Sequence, residues 1–153
     1  MIKQSAGILL YRKMSDQLQV FLVHPGGPFF KNKDAGVWSI PKGEFSDDED
    51  ALAAAKREFK EETGQTIDGG FIELKPVYLK SGKKVYAWAV EGDLDHEIIE
   101  SNLFEMEWPP KSGKRQSFRE VDRAAWFTIS EAKEKINAAQ VGLIDNFLTS
   151  VVS

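Results

Sequence analysis

Glu58, Glu61 and Glu62 are the residues of this chain whose type and spacing speak most directly of chemistry. On a helix they share an arc of about 100°, so three carboxylates gather on one side. Glu58 and Glu62 are like charges one helical turn apart, which weakens an isolated helix by roughly a few tenths of a kcal/mol. A divalent cation would compensate: hard oxygen donors suit Mg2+, which keeps some of its waters and completes its shell with substrate phosphate. A cation held there polarises phosphoryl oxygens and acidifies water for in-line attack at phosphorus. The plain alternative is a solvated acidic face, the commoner meaning of a charge run on a helix.

The helix that must present these glutamates is predicted over residues 47–63. Ser46 and Glu49 stand at capping-box spacing at its start, and Gly64 is a natural residue to end it. Leu52, Ala55 and Phe59 form an apolar stripe that should pack on a sheet, with Lys56 and Lys60 on the far side. Short apolar segments bounded by Gly or Pro predict strands over 7–11, 18–23, 71–79 and 84–90. One or two short helices are expected between 131 and 148, opened by Ser130 as N-cap. Strands with few helices imply the α/β class, a sheet covered by helices. Residues 25–35 and 109–120 read as long loops, and loops of that size are often functional.

The glutamates belong to a longer pattern: Gly43, five residues, Glu49, seven residues, then Arg57-Glu58-Phe59-Lys60-Glu61-Glu62-Thr63-Gly64. This resembles the Nudix box, here residues 43–65, and so many specified positions are far more restrictive than a lone glycine motif. The box conventionally closes on an aliphatic residue, where this chain has Gln65. The resemblance implies a loop-helix-loop site on a Nudix-type α/β/α sandwich with a mixed sheet, and hydrolysis of a diphosphate linkage. It also implies Glu58 and Glu62 as principal metal ligands, Glu61 as a further ligand or base, and Arg57 as the residue orienting the carboxylates. Gly43 would let the preceding loop approach the metal, which is expected to be Mg2+, with Mn2+ able to substitute.

A base must take the proton of the attacking water, and two residues compete. Glu61 lies within the box; Glu120, six residues before Trp126, resembles the fourth carboxylate of mutator-type members. Its ordinary reading is a loop carboxylate paired with Arg119 or Arg123. Glu105 and Glu107 are weaker candidates. The run Trp38-Ser39-Ile40-Pro41-Lys42-Gly43 resembles the lead-in of dinucleoside polyphosphate hydrolases, so Lys42 is read as a phosphate contact and Trp38 as core. Lys114 and Arg115 would join Lys42 along a long polyphosphate. Phe29 and Phe30, flanked by glycines and lysines, either stack a base or anchor a lid. His24 and His96 show no ligand spacing and are read as structural.

Composition bounds these readings. At 153 residues, 42% hydrophobic and 29% charged, the chain suits one soluble globular domain over 1–153, with no repeat or dividing linker. Its net charge of −4 argues against general nucleic-acid binding. Acidic residues crowd the stretch from Glu44 to Glu62, whereas basic ones gather at Lys80, Lys83 and Lys84 and at Lys111, Lys114, Arg115 and Arg119. That asymmetry suits a metal and a polyphosphate. There is no cysteine, so a metal would be bound by oxygen or imidazole. No apolar run near the start reaches membrane length, and a cytoplasmic location is expected. Three functions stay open: hydrolysis of a nucleoside diphosphate derivative such as a dinucleoside polyphosphate, pyrophosphohydrolysis of a nucleoside triphosphate or RNA 5′ end, and a non-catalytic nucleotide sensor. The partner in each is a small nucleotide or polyphosphate; oligomeric state is open.

Overall fold

The protein is described by a computed structural model over residues 3–152. Its first strand, β1 (Gln4–Met14), is buried on both faces along most of its length and forms the middle of the molecule. β2 (Gln17–Pro25) turns back beside it through Ser15 and Asp16, both in the left-handed region that a two-residue hairpin turn demands. β3 (Lys42–Glu44) pairs antiparallel with Ser5 to Gly7 on the same side of β1. On the other side lies β5 (Lys84–Glu91), parallel to β1, and outside it β4 (Ile72–Tyr78), antiparallel. β8 (Val121–Thr128) closes the opposite edge against β2. The sheet is therefore mixed, with the order β4-β5-β1-β2-β8 and β3 beside β1.

Strand alternation divides the core between two faces. Ile8, Leu10, Phe21 and Val23 point to one face, where α1 (Ala51–Thr63) lays down Ala54, Ala55 and Phe59. Leu9, Val20 and Leu22 point to the other, against α2 (Ile129–Lys135) and α3 (Val141–Val152). The result is the expected α/β/α sandwich. Trp38 is buried in the second core with its indole Nε1 donating to Asp34 at 2.7 Å, as expected of a core residue.

Four expectations need correction. The N-cap of α1 is Asp50, whose carboxylate accepts from the Ala53 amide at 3.0 Å; Glu49 is drawn off to Arg57 and forms no capping box with Ser46. α2 is capped by Thr128, in a capping box with Glu131, rather than by Ser130. Residues 109–120 are no simple loop: β7 (Arg115–Arg119) pairs with β6 (Leu103–Glu107) in a separate two-stranded sheet. β3 and β8 also form where no strand was expected. Among the described residues no helix is long and apolar enough to cross a membrane.

Candidate functional site

α1 ends where Gly64 adopts φ 76° and its amide reaches the Lys60 carbonyl. The segment after η1 (His96–Ile98) then lies across this end: the Glu100 amide donates to the Thr63 carbonyl and the Asn102 amide to that of Glu61, each at 2.8 Å. Carbonyls left over at a helix end are satisfied in this way. Asn102 in turn accepts from the Glu120 amide at 2.9 Å, and the Glu120 carbonyl accepts from Gly26 at 2.8 Å. Glu120 is thus stapled between the end of α1 and the start of the 25–35 loop. Gly26 is required there, since a Cβ would lie 1.9 Å from the Arg119 carbonyl oxygen.

Arg57 is the hub of the acidic cluster. Its guanidinium donates twice to Glu49 at 2.9 Å, to Glu58 at 2.8 Å and to Glu61 at 3.2 Å, and these partners raise its own pKa, Glu49 most of all. Glu58 is buried, and loss of water raises its pKa, with the nearby Glu61 adding to the effect. Glu62 accepts weakly from the Lys42 amide at 3.3 Å, and burial pushes its pKa up to about 8. Burial lowers the pKa of the Lys42 ammonium, with Lys83 contributing. Glu120 is raised too, by burial and then by Glu61. In Glu58 and Glu62 the loss of water outweighs the nearby charges of Arg57 and Lys42.

Gly43 explains its own identity: a Cβ there would lie 2.1 Å from the Glu58 carboxylate carbon and from its Oε2. β3 therefore runs directly over Glu58, and any side chain would displace it. A small cavity of about 190 Å3 opens beside this contact, lined by Ser39, Lys42, Glu62, Glu120 and neighbouring Val and Pro side chains. A larger one of about 550 Å3 lies beneath the β6–β7 hairpin, lined among others by Gly27, Lys31, Trp108, Phe118, Arg119 and Asp122, the last two flanking Glu120 and Val121 of the first in sequence. Among the described residues no three acidic or imidazole side chains already stand together as a metal-holding group, and Arg57 engages Glu58 and Glu61 instead. The donor set nevertheless suits a hard cation, because Glu58 and Glu62 are buried carboxylates of raised pKa that further positive charge would keep ionised.

The remaining candidates fall elsewhere. Lys114 and Arg115 sit exposed on the hairpin and line neither cavity; Arg115 stands 4.0 Å from Glu105. Glu107 accepts from the Lys111 amide at 2.8 Å, within the hairpin's own turn. Phe29 and Phe30 are exposed and line neither cavity; Phe29 sets its ring at 81° to that of Trp108, 5.4 Å away. His24 is fully buried, with Nδ1 at 2.8 Å from Asp122 Oδ1 and Nε2 at 2.7 Å from the Lys33 carbonyl, a structural tie between β8 and the 25–35 loop. His96 lies half-buried in a shallow hollow beside Arg12 and Asp93. Two residues beyond Gln65, Ile67 packs against the α1 face of the core. Sequence reasoning missed Gly26, Asn102, Trp108, Phe118 and Asp122; only the Gly26-Gly27 pair carries a visible signal of close backbone approach.

Solved structures share this fold. A C. elegans Ap4A hydrolase binary complex aligns with 99% of this chain and 98% of its own at 21% identity and TM-score 0.66. The NUDIX domain of Shewanella oneidensis NrtR, complexed with ADP ribose, aligns with 99% of this chain and 89% of its own at 16% identity and TM-score 0.69. A mutT/nudix family protein from Listeria innocua aligns with 98% and 94% at 16% identity and TM-score 0.63. At such identities the likeness establishes the fold alone. No curated protein matches the sequence significantly. The sequence pattern of the NUDIX domain, however, runs through residues 1–147, almost the whole length, and so this chain belongs to the Nudix family of pyrophosphohydrolases, enzymes that act on phosphoric anhydrides.

Proposed function

We propose that the chain, acting as one domain, hydrolyses a diphosphate linkage in a nucleoside diphosphate derivative, with a dinucleoside polyphosphate as the preferred kind. The observation that carries this reading is the small cavity, where Glu62, Glu120 and Lys42 from three separate elements meet beside the buried Glu58. Glu58, Glu61 and Glu62 would hold the divalent cation, Mg2+ or Mn2+. When bound, it would supply Lewis acidity at the phosphoryl oxygens. Arg57 keeps Glu58 and Glu61 oriented, and Gly43 leaves Glu58 the room it occupies. Glu120, of raised pKa and fixed by its backbone on both sides, is suited to take the proton of the attacking water. Lys42 neutralises a phosphate beyond the one attacked.

Related folds support a nucleotide substrate, since one is an Ap4A hydrolase and another holds ADP ribose. The test is product analysis with Mg2+ or Mn2+ over a series from nucleoside diphosphate derivatives to dinucleoside tetraphosphates. We expect kcat/KM to rise with chain length, and Lys42→Ala to blunt the rise. If the extended chain runs out over the hairpin, Arg115→Ala blunts it as well. A flat series would reject the polyphosphate preference in favour of a nucleoside triphosphate or RNA 5′-end substrate.

A further inference from the structure

We infer that the larger cavity beneath the β6–β7 hairpin receives the base of the substrate, and that Asp122 selects a base carrying an exocyclic amino group. This rests on the hydrolase reading for the position of the phosphates, but on different residues. At about 550 Å3 the cavity is of nucleoside size. Two aromatic rings line it, Trp108 and Phe118, and both are held in place. Phe29 sets its ring against Trp108, the Gln116 amide donates to the Trp108 carbonyl at 2.9 Å, and Phe118 packs on Phe104 at 6.0 Å. Rings fixed in this way offer a flat base a stacking surface whose order is already established.

Asp122 supplies the selective contact. Its Oδ1 faces His24 Nδ1 at 2.8 Å, while the other ring nitrogen of His24 faces the Lys33 carbonyl at 2.7 Å. The carboxylate only accepts, so its contact is satisfied by the tautomer of His24 that carries the hydrogen on Nδ1, and Asp122 is thereby oriented rather than free to turn. The Asp122 side chain keeps 32% of its surface exposed, and among the described residues its Oδ2 has no hydrogen-bond partner. A carboxylate oxygen at the cavity wall only accepts, so a ligand group that meets it must offer an N–H or O–H donor. An exocyclic amine provides one, whereas a carbonyl at the same place on the base would set acceptor against acceptor. Lys31 and Arg119 add positive charge at the same walls, and Arg119 adjoins Glu120, which lines the small cavity. A nucleotide with its base in the larger cavity would reach the glutamates by carrying its phosphates past these cations toward Glu120.

Titration calorimetry on the full chain without divalent cation tests this apart from catalysis. AMP should bind about tenfold or more tightly than IMP, and CMP than UMP, the difference expected of one hydrogen bond to a charged group. Ribose 5-phosphate should bind more weakly than either member of each pair. Asp122→Asn should bring AMP and IMP together, and Trp108→Ala should weaken both by roughly tenfold or more. Equal binding of AMP and IMP by the unmodified protein would overturn the role of Asp122, whatever the variants do. Ribose 5-phosphate binding as tightly as AMP would overturn occupancy of the cavity by the base. Selective AMP binding without cation-dependent hydrolysis would uphold this site and reject the catalytic reading of the glutamates.

Discussion

Glu58 and Glu62 are glutamates that the fold has moved out of water, and their raised pKa values express what ionising them there costs. Replacing either by Gln removes a charged donor while keeping its shape. We expect Glu58→Gln or Glu62→Gln to lower Mg2+-dependent turnover by more than about 100-fold, beyond the usual loss at a residue that merely supports a ligand. The fold should persist or gain slightly, because repulsion along α1 falls. Steady-state rates with circular dichroism check both halves, and an unchanged rate would sink the assignment. For Glu120 the informative quantity is the pH–rate profile. A base must be ionised to act, and burial with Glu61 nearby raises its pKa, so the acidic limb should lie above the ordinary carboxylate range. Glu120→Gln should remove that limb and lower kcat by roughly 10²–10⁴-fold with metal affinity little changed; a profile like the parent's removes Glu120 from the chemistry.

At the scale of elements, the start of α1 offers a direct comparison. Asp50→Ala should cost about 1 kcal/mol, or about 2–4 °C in Tm, while Ser46→Ala should leave the melting temperature near that of the parent. Equal losses would restore the capping box that the sequence suggests. α1 was legible because its periodicity, its closing glycine and its glutamates all agree, and β1, β2, β4 and β5 were legible because their apolar runs are bounded by turn residues. β3 was not, since Lys42-Gly43-Glu44 has little strand character of its own and is a strand only by pairing with β1. β8 opens on Val121-Asp122-Arg123, whose charges hide a strand dictated by its register with β2. The same limit applies to the site. The glutamates of the box were readable from spacing, but the link from Glu61 through Asn102 to Glu120 is made by backbone groups, which leave no mark on side-chain identity.

At the scale of the whole molecule, Glu62 couples stability to pH when the cation is absent. In the fold it keeps its proton up to about pH 8, whereas its ordinary value is 4.5. Between these values the native state binds the extra proton, so its contribution is full below about pH 4.5 and is lost as pH rises toward 8. In EDTA, Tm should therefore fall across this window, and added Mg2+ should raise Tm more at pH 8 than at pH 5. A Mg2+ increment independent of pH would show that the cation does not engage Glu62. The β6–β7 hairpin differs from the rest of the molecule in another way. It forms its own two-stranded sheet outside the main one, and a lone pair of strands is marginal in water. Its amides should exchange with deuterium far sooner than those of β1 and β5, and bound nucleotide should slow exchange there first. Occupancy of the larger cavity would then steady a wall that is already formed, so that recognition and local stability rise together.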